Sequence, residues 1–220
     1  MFPREDFEHL SRIERKRITP VQGTGLHRLT RPEPWSKAIL AGIWESMPPT
    51  AVNEYPDYTA FYGRLSDFYQ VPTDKMIVGL GAEDLIRSLY WLGARPGERV
   101  AVTWPTCAMY EVYARTFGLN LLRVQTTPGK KLKVDTLVDA SMTSRVLFVV
   151  NPGQPVETLL DLSELRFLAW HCKQNGTLLV VDEAYFHFGA PTALTLTETF
   201  DNVVILRSFS KAFGGAGLRV

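Results

Sequence analysis

The motif R-S-F-S-K, which ends at Lys211, has the clearest chemical potential in the chain. It follows the apolar run 203–206 and precedes the glycine-rich stretch AFGGAGLRV. A lysine between a buried strand and such a loop is poorly placed for a solvated surface charge, and partial burial beside a cation would favour its neutral, nucleophilic amine. Ser208, Ser210 and Arg219 supply hydroxyl groups and a guanidinium suited to a phosphate. The order G-x-x-x-x-G-K-[ST] is absent, so the motif does not indicate a P-loop.

Polar residues also follow two other apolar runs. The run 178–181 leads into D-E-A-Y at residues 182–185, and the run 76–80 leads through G-L-G-A-E at residues 79–83 into a helical pattern. An acid after a buried strand serves either a ligand or the start of a helix, and the residues alone leave both interpretations open. Two glycines before a helix leave backbone N–H groups available to a phosphate, although a tight strand-to-helix turn explains them as well.

The elements that must position these motifs alternate along the chain. Strands are predicted at 76–80, 100–103, 121–124, 146–150, 178–181 and 203–206, and helices at 36–46, 58–69, 82–92, 106–117 and 162–174. Strands that are apolar on both faces and alternate with helices predict an α/β fold with a mostly parallel sheet covered on both sides. Ligands bind such sheets at the carboxyl ends of the strands, which is where the three motifs lie.

The composition narrows the function classes. The chain has 220 residues and a net charge of +1, so no overall field favours nucleic acid or an anionic membrane as partner. No apolar run approaches the roughly 18 residues that span a bilayer. Two cysteines, Cys107 and Cys172, are too few for a disulfide scaffold and lack metal-type spacing. We therefore expect a cytoplasmic protein with no metal site, and we expect His187 to lie in a solvent-exposed loop.

The motifs together resemble a known enzyme family. S-F-S-K-A-F-G-G-A-G-L-R strongly resembles the lysine motif of fold-type-I pyridoxal-phosphate aminotransferases of classes I and II, and D-E-A-Y resembles their cofactor-nitrogen motif. Y-P-D at 55–57, G-L-G-A-E-D at 79–84 and P-T-C-A-M-Y at 105–110 occur in the order of the histidinol-phosphate aminotransferase branch, which includes threonine-phosphate decarboxylase. The resemblance covers about residues 54–220 and implies a three-layer α/β/α large domain.

The resemblance implies a role for each matching residue. Lys211 would carry pyridoxal 5'-phosphate as a Schiff base and shuttle the substrate's α-proton, Asp182 would pair with the protonated ring nitrogen, and Tyr185 would donate to the ring's phenolic oxygen. The phosphate would be bound by backbone N–H groups and side chains from five residues, namely Ala82, Glu83, Ser208, Ser210 and Arg219. Tyr55 would reach the phosphate in the neighbouring subunit, which implies a homodimer with a shared active site.

The sequence departs from the family pattern in the amino-terminal N-E-N-P-like segment, of which it has only R-P-E-P at 31–34, and at two site positions. Cys107 stands where the family has an aromatic residue or histidine stacked on the ring, and Gln154 stands where it has the asparagine that reaches the phenolic oxygen. The expected activity is amino transfer between an amino acid, or an amino-acid phosphate, and a 2-oxo acid. Decarboxylation of a phosphorylated amino acid, or cofactor binding with little turnover, stay open as alternatives.

The resemblance also implies a division into domains. Residues 1–53 are expected to form an irregular amino-terminal arm and part of a small domain, and residues 54–220 are expected to form the cofactor-binding large domain. Because the family continues past this point into more of the sheet and a small carboxyl-terminal domain, we expect these 220 residues to be an incomplete part of a longer enzyme.

Overall fold

The computed structural model describes residues 31, 33–127, 129 and 131–220, so most of the expected amino-terminal arm lies outside the described residues. The strands are β1 (Arg99–Trp104), β2 (Asn120–Gln125), β3 (Val146–Val150), β4 (Leu178–Asp182) and β5 (Val203–Leu206). The α-helices are α1 (Lys37–Ser46), α2 (Thr59–Tyr69), α3 (Ala82–Gly93), α4 (Met109–Thr116), α5 (Val134–Ser141) and α6 (Leu162–Gln174). None of the helices in this part of the chain is long and apolar enough to cross a membrane.

The five strands form one parallel sheet in the order β2-β1-β3-β4-β5. The central strand β3 is buried along its whole length, and its Val146 lies opposite both Val100 and Leu178. The chain leaves β1 towards one edge of the sheet and returns to continue on the other side, so the order reverses between β1 and β3. In parallel sheets this reversal opens a crevice at the carboxyl ends of the strands, where ligands bind.

Side chains of β3 alternate between two apolar cores. On one face, Leu147 packs in a cluster with Leu137 of α5 and Leu168 of α6. On the other face, Phe148 packs with Tyr90 of α3 and Tyr110 of α4, with ring centroids 4.9 and 5.2 Å from its own. Because both faces of the sheet are covered by helices, the predicted three-layer α/β architecture is confirmed.

The sequence-based prediction was wrong for the apolar run 76–80, which is irregular. Its backbone donors are taken by side chains instead of a neighbouring strand: Val78 N donates to the hydroxyl of Tyr62 at 3.0 Å, and Leu80 N donates to Asp84 Oδ2 at 3.2 Å. Ile77 and Leu80 are exposed as a result. The helix predicted from residue 106 begins only at Met109, and α5 was missed altogether.

Candidate active site

A buried carboxylate lies where β4 ends. Asp182 is the last residue of that strand, and only 6% of it is exposed. Its Oδ1 accepts a hydrogen bond from the backbone N–H of Ala184 at 3.0 Å, and its Oδ2 accepts one from the hydroxyl of Tyr110 at 2.7 Å. Burial raises the pKa of Asp182, whereas these two bonds and the positive charge of Lys211 lower it. Burial is the largest of these effects, so the pKa of Asp182 is raised overall, and the two hydrogen bonds and Lys211 offset part of the cost of ionising this buried acid.

Lys211 and Tyr185 converge near this carboxylate. Lys211 lies in the lysine loop (residues 207–220), which follows β5, and its Nζ lies 5.1 Å from the centroid of the Tyr185 ring. Both residues are half-buried. Burial raises the pKa of Tyr185 to about 12, and the neighbouring Asp182 and Cys107 add to the shift. Tyr185 is therefore a neutral phenol, able to donate a hydrogen bond, throughout the physiological pH range.

A guanidinium lies against the amino-terminal end of α3. Arg219 donates to the carbonyl oxygens of Leu80 at 3.1 Å and Ala216 at 3.2 Å. A Cβ on Gly81 would lie 3.2 Å from Arg219 Nη2, and Gly81 has a φ of +83°, so this position is suited to glycine. Arg219 itself adopts a left-handed φ of +59°, a strained conformation that often marks a functional site.

The adjoining end of α3 supplies backbone donors. Ala82 begins the helix, and its N–H makes no hydrogen bond to any described residue. The side chain of Glu83 accepts from the hydroxyl of Tyr113 at 3.2 Å. A helix amino terminus with a cation beside it attracts anions through its dipole and its N–H groups. This end of the crevice is therefore suited to a phosphate.

The two serines of the lysine motif have different positions. Ser208 is buried, its hydroxyl donates to the carbonyl oxygen of Val220 at 3.2 Å, and it accepts from the backbone N–H of Ser210 at 3.0 Å. Ser210 is half-buried one residue before Lys211. The hydroxyl of Ser208 thus binds two other residues of the lysine loop and stabilises its conformation. One of these two bonds fixes the backbone of Ser210.

The departing residues Cys107 and Gln154 lie on loops that follow β1 and β3. Cys107 is exposed, and it is close enough to Tyr185 to affect the pKa of that phenol. Gln154 is half-buried in a loop that Asn151 braces, because the Asn151 side chain exchanges two hydrogen bonds with the backbone of Leu160. Both residues therefore follow strands that flank the crevice.

An ion pair joins the ends of β4 and β5, which sequence reasoning did not identify. Glu183, of which 1% of the side chain is exposed, accepts from Arg207 Nε at 3.1 Å and Nη2 at 3.0 Å. The guanidinium also lies over the rings of Tyr69 and Phe186, 4.6 and 4.2 Å from their centroids. The charge of Arg207 is thus balanced by Glu183. The pair fixes the residues that follow Asp182 to the start of the lysine loop.

A segment before α1 also contacts the lysine loop. Trp35 Nε1 donates to the carbonyl oxygen of Phe213 at 2.7 Å, and the backbone N–H of Arg31 donates to the carbonyl oxygen of Lys211 at 3.0 Å.

His187, expected in an exposed loop, is instead half-buried because its ring packs 4.7 Å from that of Phe213 and its Nε2 lies 3.0 Å from the hydroxyl of Tyr69. Burial and Arg207 lower the pKa of His187.

Tyr55 lies apart from the other predicted site residues. It is fully exposed, in an irregular stretch between α1 and α2. Its hydroxyl makes no hydrogen bond to any residue within the described ranges. The other residues predicted for the site end β4, follow β1, β3, β4 or β5, or lie in the first turn of α3.

The chain is similar in sequence to known aminotransferases. The model of the family "Aminotransferase class I and II" matches residues 32–220. The chain is 32% identical over 180 residues to the histidinol-phosphate aminotransferase of Thermococcus kodakarensis, covering 81% of this chain and 52% of that one. It is 34% identical over 191 residues to an aromatic amino acid aminotransferase of Streptomyces coelicolor, covering 82% and 53%.

A solved structure agrees with these relatives in fold. The histidinol-phosphate aminotransferase of Sinorhizobium meliloti, in complex with pyridoxal-5'-phosphate, superposes with a TM-score of 0.73 at 21% identity. The match covers 84% of this chain and 51% of that one. The chain thus spans about half the length of the relatives that it matches.

Proposed function

Because the chain belongs to the class I and II aminotransferases, we propose that the protein is a pyridoxal-phosphate-dependent aminotransferase with Lys211 as the cofactor-binding lysine. It moves an amino group between an amino acid, or an amino-acid phosphate, and a 2-oxo acid. The observation that carries the proposal is the convergence of a buried carboxylate, a lysine amine and a helix terminus with a guanidinium at one edge of the sheet. These groups match the ring nitrogen, the aldehyde and the phosphate of the cofactor.

The ring end of the crevice fits this cofactor. A protonated ring nitrogen requires an anionic partner shielded from water, and Asp182 is buried yet carries donors that favour its ionised form. Tyr185, a neutral phenol, is suited to donate to the phenolic oxygen. Gln154 offers an amide donor for the same oxygen. Cys107 occupies the stacking position without a ring, which weakens the hold on the cofactor's face.

The phosphate end fits as well. The backbone N–H groups of Ala82 and Glu83 and the guanidinium of Arg219 supply donors and positive charge beside the amino terminus of α3. The hydroxyl of Ser210 adds a donor from the lysine loop. Ser208 would exchange its bond to Val220 for one to a phosphate oxygen.

The chain's own residues then have distinct tasks. When bound, pyridoxal phosphate supplies an aldehyde that condenses with amines and a ring that withdraws electrons from the substrate's α-carbon. Lys211 holds and moves a proton at its Nζ, between the α-carbon and the cofactor. Asp182 stays ionised and keeps the ring nitrogen protonated. Tyr185 holds its proton at the hydroxyl and orients the ring.

The resemblance to the aminotransferase family also carries a domain assignment and a subunit partner. We assign residues 54–220 to the cofactor-binding domain. The enzyme is a homodimer in which Tyr55 reaches the phosphate bound by the second subunit, a role that its full exposure allows. The cytoplasm is the expected compartment, because both cysteines are free thiols.

The proposal is tested with the full-length protein, a panel of amino donors and 2-oxo acids, and analysis of the products. Amino transfer with both products formed is expected. Release of carbon dioxide without a new amino acid would instead indicate a decarboxylase, and bound cofactor without turnover would indicate a homologue that has lost activity.

A variant of Asp182 tests the residue assignment. Asp182→Asn should still bind the cofactor, yet it should lose most exchange of the substrate's α-hydrogen, because the ring nitrogen loses its anionic partner. Asp139→Asn, an exposed aspartate of α5, is the matched control and should exchange at the wild-type rate. Unchanged exchange in Asp182→Asn would show that Asp182 is not that partner.

A further inference from the structure

Tyr110 is buried and in contact with Asp182, although neither the sequence pattern nor the resemblance to the family predicted a role for it. It lies in the first turn of α4, and only 1% of it is exposed. Its ring packs edge-on against Phe148 of β3, 5.2 Å between centroids, and faces Tyr90 of α3 at 6.5 Å. This packing fixes the direction of the hydroxyl, which donates to Asp182 Oδ2 at 2.7 Å.

We propose that Tyr110 is a positioning residue, whose phenol fixes the Asp182 carboxylate and keeps it ionised for the cofactor's ring nitrogen. The inference rests on the proposed function, since it assigns Tyr110 a task in that site. Tyr110 acts through Asp182, and it need not touch the cofactor or the substrate.

The argument starts from the cost of a buried charge. A carboxylate taken out of water is stabilised only by donors and positive charges around it. Asp182 has three such supports: the N–H of Ala184, the charge of Lys211 and the hydroxyl of Tyr110. Without enough of them, the carboxyl group binds a proton and can no longer serve as an anionic partner.

The three supports are not equivalent. The charge of Lys211 is not constant, because the role proposed for this lysine requires a neutral amine when it reacts. The N–H of Ala184 lies two residues away on the same chain segment and binds the other oxygen, Oδ1. Tyr110 is the uncharged support that comes from another element of the fold, so it both fixes the direction of the carboxylate and supports its charge in every state of Lys211.

The phenol is a dependable donor at this position. Burial and the neighbouring Asp182 raise the pKa of Tyr110 well above its usual value, so its proton stays on the hydroxyl throughout the accessible pH range. Other titratable groups from the surrounding elements act on Tyr110 and Asp182. Lys211 acts on Asp182, and Tyr90 and Cys107 act on Tyr110. The nearby Tyr185 is in turn affected by Asp182 and Cys107. Lys211 is the cation among them.

The test compares two tyrosine-to-phenylalanine variants of the full-length protein. Tyr110→Phe removes the donor to Asp182 and keeps the packed ring. Tyr90→Phe is the matched control, since Tyr90 lies in the same aromatic cluster, is fully buried, and has a hydroxyl without a hydrogen-bond partner among the described residues. Any effect of deleting a buried hydroxyl from this cluster is therefore present in both variants.

The first readout is binding of pyridoxal phosphate as a function of pH. Burial already raises the pKa of Asp182, and loss of the Tyr110 bond raises it further. As the pH falls, the dissociation constant of Tyr110→Phe for the cofactor should therefore begin to rise at a higher pH than that of Tyr90→Phe. At neutral pH the dissociation constant of Tyr110→Phe should be higher by at most about tenfold, because the hydrogen bond to Asp182 is lost from the free protein as well as from the complex and only the difference between the two affects binding.

The second readout needs no cofactor. An acid whose pKa is raised by folding contributes stability that is present at low pH and lost as the pH rises through the folded-state pKa. In the apoprotein, Tyr110→Phe should thus be more destabilised than Tyr90→Phe at neutral pH, and the difference should shrink as the pH falls through the folded-state pKa of Asp182. Adding Asp182→Asn to both variants should abolish this pH-dependent difference.

The outcomes separate this inference from the proposed function. If the wild-type protein binds pyridoxal phosphate and the two variants behave alike across the pH range, the role of Tyr110 is refuted while the proposed function stands. If the wild-type protein binds no pyridoxal phosphate, the proposed function fails together with the cofactor part of this inference. The apoprotein comparison then still decides whether Tyr110 keeps Asp182 ionised.

Discussion

The buried ion pair between Glu183 and Arg207 offers a sharp test of how the site is positioned. Arg207→Met keeps much of the side-chain volume but removes the guanidinium. The substitution breaks two hydrogen bonds to the Glu183 carboxylate, at 3.0 and 3.1 Å, and a third to Thr192 Oγ1 at 2.7 Å. It also removes the cation from above the rings of Tyr69 and Phe186.

The expected cost follows from what is left behind. Glu183 would remain buried, with donors from Thr192 and Ala193 but without its cation. Removing one partner of a buried pair typically costs about 3–5 kcal/mol, because the other charge is left uncompensated. The two lost contacts with aromatic rings, each worth about 0.5–2 kcal/mol, are included in that total. We therefore expect Arg207→Met to lower the free energy of unfolding by about 3–5 kcal/mol.

The assay is urea unfolding of the apoprotein, with Arg145→Met as the matched control. Arg145 pairs with Glu98 at 3.7 Å, and 56% of its side chain is exposed, so its loss should cost at most about 1 kcal/mol. Adding Glu183→Gln to Arg207→Met should restore at least about 1 kcal/mol, since it removes the stranded charge. If Arg207→Met costs no more than Arg145→Met, the pair does not join the ends of β4 and β5 in the way described.

Three further predictions concern the loops around the crevice. Trp35→Phe removes the hydrogen bond to the Phe213 carbonyl and should speed amide exchange in the lysine loop; unchanged exchange would show that this contact does not hold the loop. Gly153→Ala would place a Cβ 2.7 Å from the backbone oxygen of Val156 and should lower the free energy of unfolding by about 1–3 kcal/mol, whereas an unshifted urea midpoint would contradict the crowding. Cys107→Tyr should tighten binding of pyridoxal phosphate by up to about tenfold through ring stacking; weaker binding in a folded variant would show that the position does not face the ring.

Most of the fold could be predicted from the sequence because its strands are short, apolar runs separated by amphipathic helices. The strands at 146–150 and 203–206 have the predicted bounds, and the helix at 162–174 begins at an Asp161 capping box and ends as predicted. The run 76–80 failed because apolarity alone does not show whether a neighbouring strand is available. Here the side chains of Tyr62 and Asp84 take its backbone donors.

The site could be predicted from the sequence only where its residues belong to short local motifs. Lys211 and Asp182 belong to local motifs, and the fold brings both to the carboxyl edge of the sheet. Tyr110 lies 72 positions from Asp182, and Trp35 lies 178 positions from Phe213, so their hydrogen bonds depend on the three-dimensional packing. The signal for Tyr110 was its place at the end of P-T-C-A-M-Y, but nothing in that motif indicates which carboxylate its hydroxyl meets.

The central claim is that Lys211 carries the cofactor. The most direct test is to incubate the full-length protein with pyridoxal phosphate, reduce it with borohydride, and map the modified peptide by mass spectrometry. A single pyridoxyl-phosphate label on Lys211, absent from a Lys211→Ala variant, is the predicted result. A label on a different lysine, or none on a protein that binds the cofactor, would contradict the account.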